Sequence, residues 1–143
     1  MTYLLDVNVL IALIDPSHIS HEHALRWFDR VGQKRWATCA ITENGVIRIV
    51  GGGQYPNSPG TVANVVGLMK EFASLPGHVF WPDDVSLLDS PKVDASRLLT
   101  ASQVTDSYLL ALAQAHGGKL ATLDRRLIVD AVSDGAKSLT IIG

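Results

Sequence analysis

Tyr3-Leu4-Leu5-Asp6-Val7-Asn8-Val9-Leu10-Ile11-Ala12-Leu13-Ile14 is the stretch on which the rest of the chain depends. Its first three residues read as a short buried β-strand, and Val9 to Ile14 form a second apolar run. A carboxylate and a carboxamide, Asp6 and Asn8, interrupt them. An unpaired charge in a dry core costs several kcal/mol or is neutralised by a pKa shift, so Asp6 needs a reason to be there. One reason is that the strand ends at Asp6, which then caps a helix beginning near Val7. Another is that Asp6 leaves the carboxyl end of a central parallel strand, where open α/β sheets put their ligands. The two are compatible. The same oddity recurs at Glu43, Asp106 and Asp124.

Outward from that stretch, the chain alternates. Asp15-Pro16-Ser17 is a turn, and a helix from His18 or Ser20 to Val31 presents Ala24, Leu25, Trp27, Phe28 and Val31. His18, His21 and His23 cluster here; the spacing of the first two would let them share a ligand on a helix, but solvated or locally capping imidazoles account for them. Arg35 to Cys39 reads as a strand. A helix follows through Val46, Ile47, Ile49 and Val50, with Thr42 as its expected cap and Glu43 in its first turn, where a negative charge suits the helix dipole. The run Gly51 to Gly60 reads as a mobile surface loop, since no second core flanks it. A helix from Thr61 to about Leu75 and a strand from His78 to Trp81 come next. Asp83, Asp84, Asp89 and Asp94 are read as caps and solvated loop charge. In the helix from Ser102 or Thr105 to His116, Asp106 falls on the stripe of Leu109, Leu110 and Ala113. Lys119 to Asp124 repeats the opening pattern of a short apolar strand ending in Asp, followed by a short helix through Val132 and a last strand from Ser138 to Ile142.

This alternation predicts an α/β fold with a parallel sheet between helical layers, and 143 residues suit one domain spanning 1–143. A hydrophobic content of 47% with 18% charged residues excludes a disordered chain. The net charge of -2 gives no global basic field for nucleic acid. Cys39 is the only cysteine, which excludes intramolecular disulfides and thiolate zinc sites and fits a reducing, cytoplasmic setting. No signal peptide or membrane span is read in the chain.

Placed at strand ends and a neighbouring helix start, Asp6, Glu43, Asp106 and Asp124 would converge on one cleft. Such a group repels itself without a cation, and hard divalent ions with oxygen preference, Mg²⁺ or Mn²⁺, would relieve it. A bound ion of that kind neutralises charge on a phosphodiester and lowers the pKa of a water that attacks it. A phosphatase with a strand-end Asp nucleophile is a rival, although that chemistry wants a second acid where this chain has Asn8. A non-catalytic module binding a protein partner is another.

The blocks Leu5 to Leu10, Thr42-Glu43, Thr105 to Ala113 and Leu120 to Arg126 resemble, in order and spacing, the PIN-domain nucleases, and more narrowly the VapC toxins of toxin–antitoxin pairs. The resemblance implies a three-layer α/β/α sandwich with a parallel sheet of about five strands. It implies that Asp6, Glu43, Asp106 and Asp124 form an acidic site for Mg²⁺ or Mn²⁺, with Asn8 and Thr122 in support. It also implies RNA cleavage, a homodimer and silencing by a VapB-type antitoxin. Arg125, Arg126, Arg48 and Arg97 are the candidates for substrate binding.

Overall fold

The computed structural model describes residues 1–143, and in it five short strands form one parallel sheet. They are β1 (Tyr3–Leu5), β2 (Trp36–Cys39), β3 (His78–Trp81), β4 (Lys119–Thr122) and β5 (Leu139–Ile141). Their order across the sheet is β3-β2-β1-β4-β5. The chain therefore builds outward from β1 in one direction, then returns to β1's other side. The reversal lies between β1 and β4, where Tyr3, Leu4 and Leu5 pair with Lys119, Leu120 and Ala121. A crevice outside the carboxyl ends of strands at such a switch point is the general ligand position of open α/β sheets.

Five α-helices cover the two faces: α1 (Val7–Ile14), α2 (His21–Arg30), α3 (Ala40–Val50), α4 (Val62–Ala73) and α5 (Ser102–Ala115). Strand side chains alternate between the faces. Leu5, Trp36 and Ala121 join α1, α2, α3 and α4 in one core, built on Val9, Leu10, Phe28, Val46, Val65 and Met69. Leu4, Ala37, Cys39 and Leu120 join α5 in the other, with Leu109, Leu110, Leu112, Trp81 and Val132. This is the expected three-layer sandwich with a parallel sheet. No helix is long and apolar enough to cross a membrane.

Several boundaries differ from the sequence reading for identifiable reasons. Thr42 does not cap α3: the helix starts earlier, with Cys39 at the cap, and Thr42 sits inside its first turn with its hydroxyl accepting from the Cys39 N–H at 3.0 Å. The short helix expected up to Val132 does not form. Its backbone groups are taken by a neighbouring segment, through Asp94 N–H to Ala131 O (2.8 Å), Ser133 N–H to Lys92 O (2.8 Å) and a bridge between Val93 and Val132. A single 3₁₀ turn, Gly135–Ser138, leads into β5 instead. The Gly51–Gly60 loop is tied down: Tyr55 and Asn57 both donate to the Asp15 carboxylate beyond the end of α1. Those bonds and one from the Ser17 N–H outweigh the burial that opposes ionisation, and hold the Asp15 carboxyl below its usual range.

Candidate metal centre

The loop between β1 and α1 has no residues to spare, so Asp6 does two tasks. Its backbone extends β1's pairing by donating to Ala121 O at 2.9 Å, and its side chain caps α1 by accepting from the Val7 N–H at 2.8 Å. The second oxygen accepts from the Thr122 hydroxyl at 2.8 Å. Both sequence-level reasons for Asp6 therefore apply at once. Thr122 shares its orientation with Leu120, toward the α5 face, and is fully buried. Its single proton goes to Asp6, so its oxygen is free to accept from the Asn8 amide and from the Asp124 N–H, both at 3.1 Å. Asn8 closes the network, with its carbonyl oxygen accepting from the Leu123 N–H at 3.1 Å. Asn8 is therefore committed to holding the turn after β4 against the start of α1. A phosphatase needs an acid at that position free to transfer a proton, and neither the residue nor its bonds provide one.

Asp106 enters from α5, half-buried on the stripe of Leu109, Leu110 and Ala113 as its spacing predicts. Burial, then the charges of Asp6 and Asp124, push its carboxyl up to about 6. Asp6 is raised as well, chiefly by burial, with Asp124 adding to the effect against the hydrogen bonds from Thr122 and Val7. These three acids therefore share one electrostatic environment. No cationic side chain neutralises them: Arg97 pairs with Asp94 and His116 bonds to Asp84, both elsewhere in the molecule.

Glu43 stands apart from the three aspartates. It accepts a hydrogen bond from the Thr38 hydroxyl at 2.6 Å, and the same oxygen of Thr38 lies 2.8 Å from His78 Nε2. Thr38 has its proton on Glu43, so His78 must be the donor to Thr38. Burial lowers the His78 pKa against the opposing pull of Glu43, which keeps the ring neutral. Thr38 has the strand parity of Trp36 and faces the four-helix layer, whereas Asp106 belongs to the opposite layer. Sequence reasoning missed Thr38 and His78. Nothing local signals that a threonine in mid-strand and a histidine 40 residues later form a holder for a carboxylate.

The donor set of Asp6, Asp106 and Asp124, all oxygen and all anionic, is chemically suited to a hard divalent cation. As the side chains stand, no three of them are arranged around a common point. The reason is in their bonds: both oxygens of Asp6 are engaged, and one oxygen of Asp124 accepts from the Arg126 N–H at 2.8 Å. Of the arginines, Arg125 and Arg126 follow Asp124 directly and are exposed at this edge. Arg48 lies in the last turn of α3, at the far end from β2, and Arg97 pairs with Asp94 at 3.5 Å. His18 and His21 are occupied locally, by the Ser20 N–H and by Ala12 O respectively, and do not face a common ligand.

Fold and site together define a parallel-sheet protein with an uncompensated carboxylate group at its switch point. A family model described as PIN domain matches residues 3–131. The chain is 45% identical over 137 residues to ribonuclease VapC44 of Mycobacterium tuberculosis, covering 96% of each chain. It is 43% identical over 135 residues to ribonuclease VapC39 of the same organism, covering 94% of this chain and 96% of that one. Ribonuclease VapC38 matches at 38% over 121 residues, 85% of this chain and 84% of the relative. The chain belongs to the PIN-domain family, among its VapC ribonucleases.

Proposed function

We propose that this protein is a divalent-metal-dependent endoribonuclease, the toxin of a toxin–antitoxin pair, acting as a single PIN domain over residues 1–143. The observation that carries the reading is the Asp6–Asp106–Asp124 group, three acids in mutual repulsion with no cation among the side chains around them. PIN-domain ribonucleases are metal-dependent as a class. We assign Mg²⁺ or Mn²⁺ to this chain, because oxygen-only donors select hard ions.

Asp6, Asp106 and Asp124 would hold the ion, which when bound supplies a water of lowered pKa and charge neutralisation at the scissile phosphate. Glu43 joins this acidic set from its seat on the Thr38 hydroxyl, which engages one of its two oxygens. Thr122 holds Asp6 in place and keeps the turn carrying Asp124 in register, while Asn8 fixes that turn to α1. Arg125 and Arg126 lie at the correct edge to meet substrate phosphates. Arg48 and Arg97 do not. A cytoplasmic location, a homodimer and a VapB-like antitoxin complete the reading.

The test is cleavage of RNA by the purified protein with Mn²⁺ or Mg²⁺, with chelator, and in Asp6→Asn and Asp106→Asn. Calorimetric Mn²⁺ titration of each variant reads the ion separately from turnover. The expected result is metal-dependent cleavage that both variants lose together with ion binding, at unchanged circular dichroism. Cleavage in chelator, or variants as active as the parent, overturns the assignment. Size-exclusion chromatography with light scattering checks the dimer.

A further inference from the structure

Beyond the carboxylates, a second cleft of about 370 Å³ lies between α2 and the residues that follow β5, lined by His23, Arg26, Trp27, Arg30, Ile142 and Gly143. Its cations do not come from a basic composition, since the chain as a whole carries a net charge of -2. Arg26 and Arg30 lie one helical turn apart on α2, both exposed, and neither is in an ion pair. Glu22 and Asp29, also on α2, do not line the cleft. Trp27 is half-buried and braced edge-on by Tyr3, with ring centres 5.2 Å apart at 84°. A side chain at position 32 would collide with its ring, so Gly32 is what allows the indole to lie there. Two unpaired guanidinium groups beside a fixed, partly exposed indole match the pairing of phosphate contact and base stacking by which single strands are held.

Two connections join this cleft to the aspartates. A Cβ on Gly143 would strike the Arg125 guanidinium, so Arg125 bridges from Asp124 to the cleft wall. Ile142 donates to Thr122 O at 2.8 Å, next to the hydroxyl that holds Asp6. We infer that single-stranded RNA flanking the scissile bond runs from the aspartates over Arg125 into this cleft. Arg26 and Arg30 each take a phosphate there, and Trp27 stacks on a base. The inference rests on the ribonuclease reading and extends it to a second site on α2.

The experiment measures anisotropy of a short fluorescein-labelled oligouridylate with the full chain in EDTA, where no cleavage occurs, across a salt series. Arg26→Ala/Arg30→Ala should weaken binding by about tenfold or more, as loss of two charge-assisted contacts implies. It should also make the dependence of log K on log salt shallower by about 1.4, at about 0.7 per phosphate contact on a single strand. Arg26→Lys/Arg30→Lys should restore the salt slope. With Mn²⁺ the double alanine variant should raise KM on the same oligomer at unchanged kcat. Unchanged affinity and slope in the double alanine variant overturn the inference, as does parent protein that fails to bind the oligomer in EDTA. Loss of affinity for polyglutamate with RNA binding intact also overturns it, and marks the cleft as a seat for an acidic peptide. Binding that depends on these arginines in a protein that never cleaves RNA would sink the ribonuclease reading while leaving the cleft in place.

Discussion

Two acidic positions at the same end of the sheet are treated in opposite ways. Asp6, Asp106 and Asp124 repel one another, and burial first, then that repulsion, pushes the Asp106 carboxyl up to about 6. Glu43 sits on the other face with a 2.6 Å hydrogen bond from Thr38, backed by the neutral His78. The first arrangement stores electrostatic repulsion that a cation relieves. In the second, the charge is already satisfied by neutral donors, so little is gained by moving it. The comparison predicts that the three aspartates are indispensable for ion binding, and that Glu43 acts at the margin.

The largest effect follows directly. Asp106→Asn should reduce RNA cleavage by about a thousandfold, since an ion at the scissile phosphate is worth several kcal/mol. Glu43→Gln should cost about tenfold or less, because its amide oxygen still accepts from Thr38. Steady-state kinetics of both variants at saturating Mn²⁺ decide the matter. Equal losses would remove the distinction between the two positions. Next comes Thr122→Val, which keeps the shape of the side chain and removes the hydroxyl shared by Asp6, Asn8 and the Asp124 N–H. A drop of about 10–100-fold in Mn²⁺ affinity is expected from losing a group that orients a ligand, read by calorimetry. On the other side, Thr38→Val strips the partner from both Glu43 and His78. It should lower stability by about 1–3 kcal/mol in urea titration, the cost of leaving polar groups unmatched, with Mn²⁺ affinity close to the parent's.

The contrast also shows where sequence is informative. The pattern of an apolar run closing on Asp, at Leu5-Asp6 and from Lys119 to Asp124, locates two acids, because a charge is costly inside such a run and marks where it ends. Helical spacing locates the third, because Asp106 shares a stripe with Leu109 and Leu110. These inferences use backbone periodicity, which propagates from residue to residue. Glu43 defeats them. Its place in the first turn of α3 is legible, but the direction of its side chain depends on Thr38 and His78, brought together only when β2 and β3 pair. The missing helix before Val132 has the same origin, since its hydrogen bonds go to residues 92–94, some forty positions away in the chain. The arginines divide likewise. Arg125 and Arg126 follow a strand-end Asp and are placed by it, whereas Arg26 and Arg30 gain a cleft only because β5 ends beside α2.

The smallest effect is in the response of stability to pH. The folded protein keeps the Asp106 proton up to about pH 6, while the same carboxyl in the unfolded chain gives it up near 3.8. Between those values the folded state binds more protons, so the free energy of unfolding falls as pH rises through the window. Asp6, raised for the same chief reason, acts in the same direction. Carboxylates held by hydrogen bonds, such as Asp15, do the reverse and lose their contribution only as pH drops below the usual carboxylate range. His78, whose pKa burial lowers, acts in the opposite direction in part of this window. The Asp106 contribution is therefore read as the difference between metal-free parent and Asp106→Asn. From pH 5 to pH 7 the variant should gain melting temperature relative to the parent, reaching a pH 7 midpoint about 2–4 °C higher, a modest figure because the half-buried group is partly screened. Differential scanning fluorimetry in EDTA measures both. A pH response from 5 to 7 that is the same in parent and Asp106→Asn would mean that the aspartates are already neutralised within the fold, and the contrast with Glu43 would vanish.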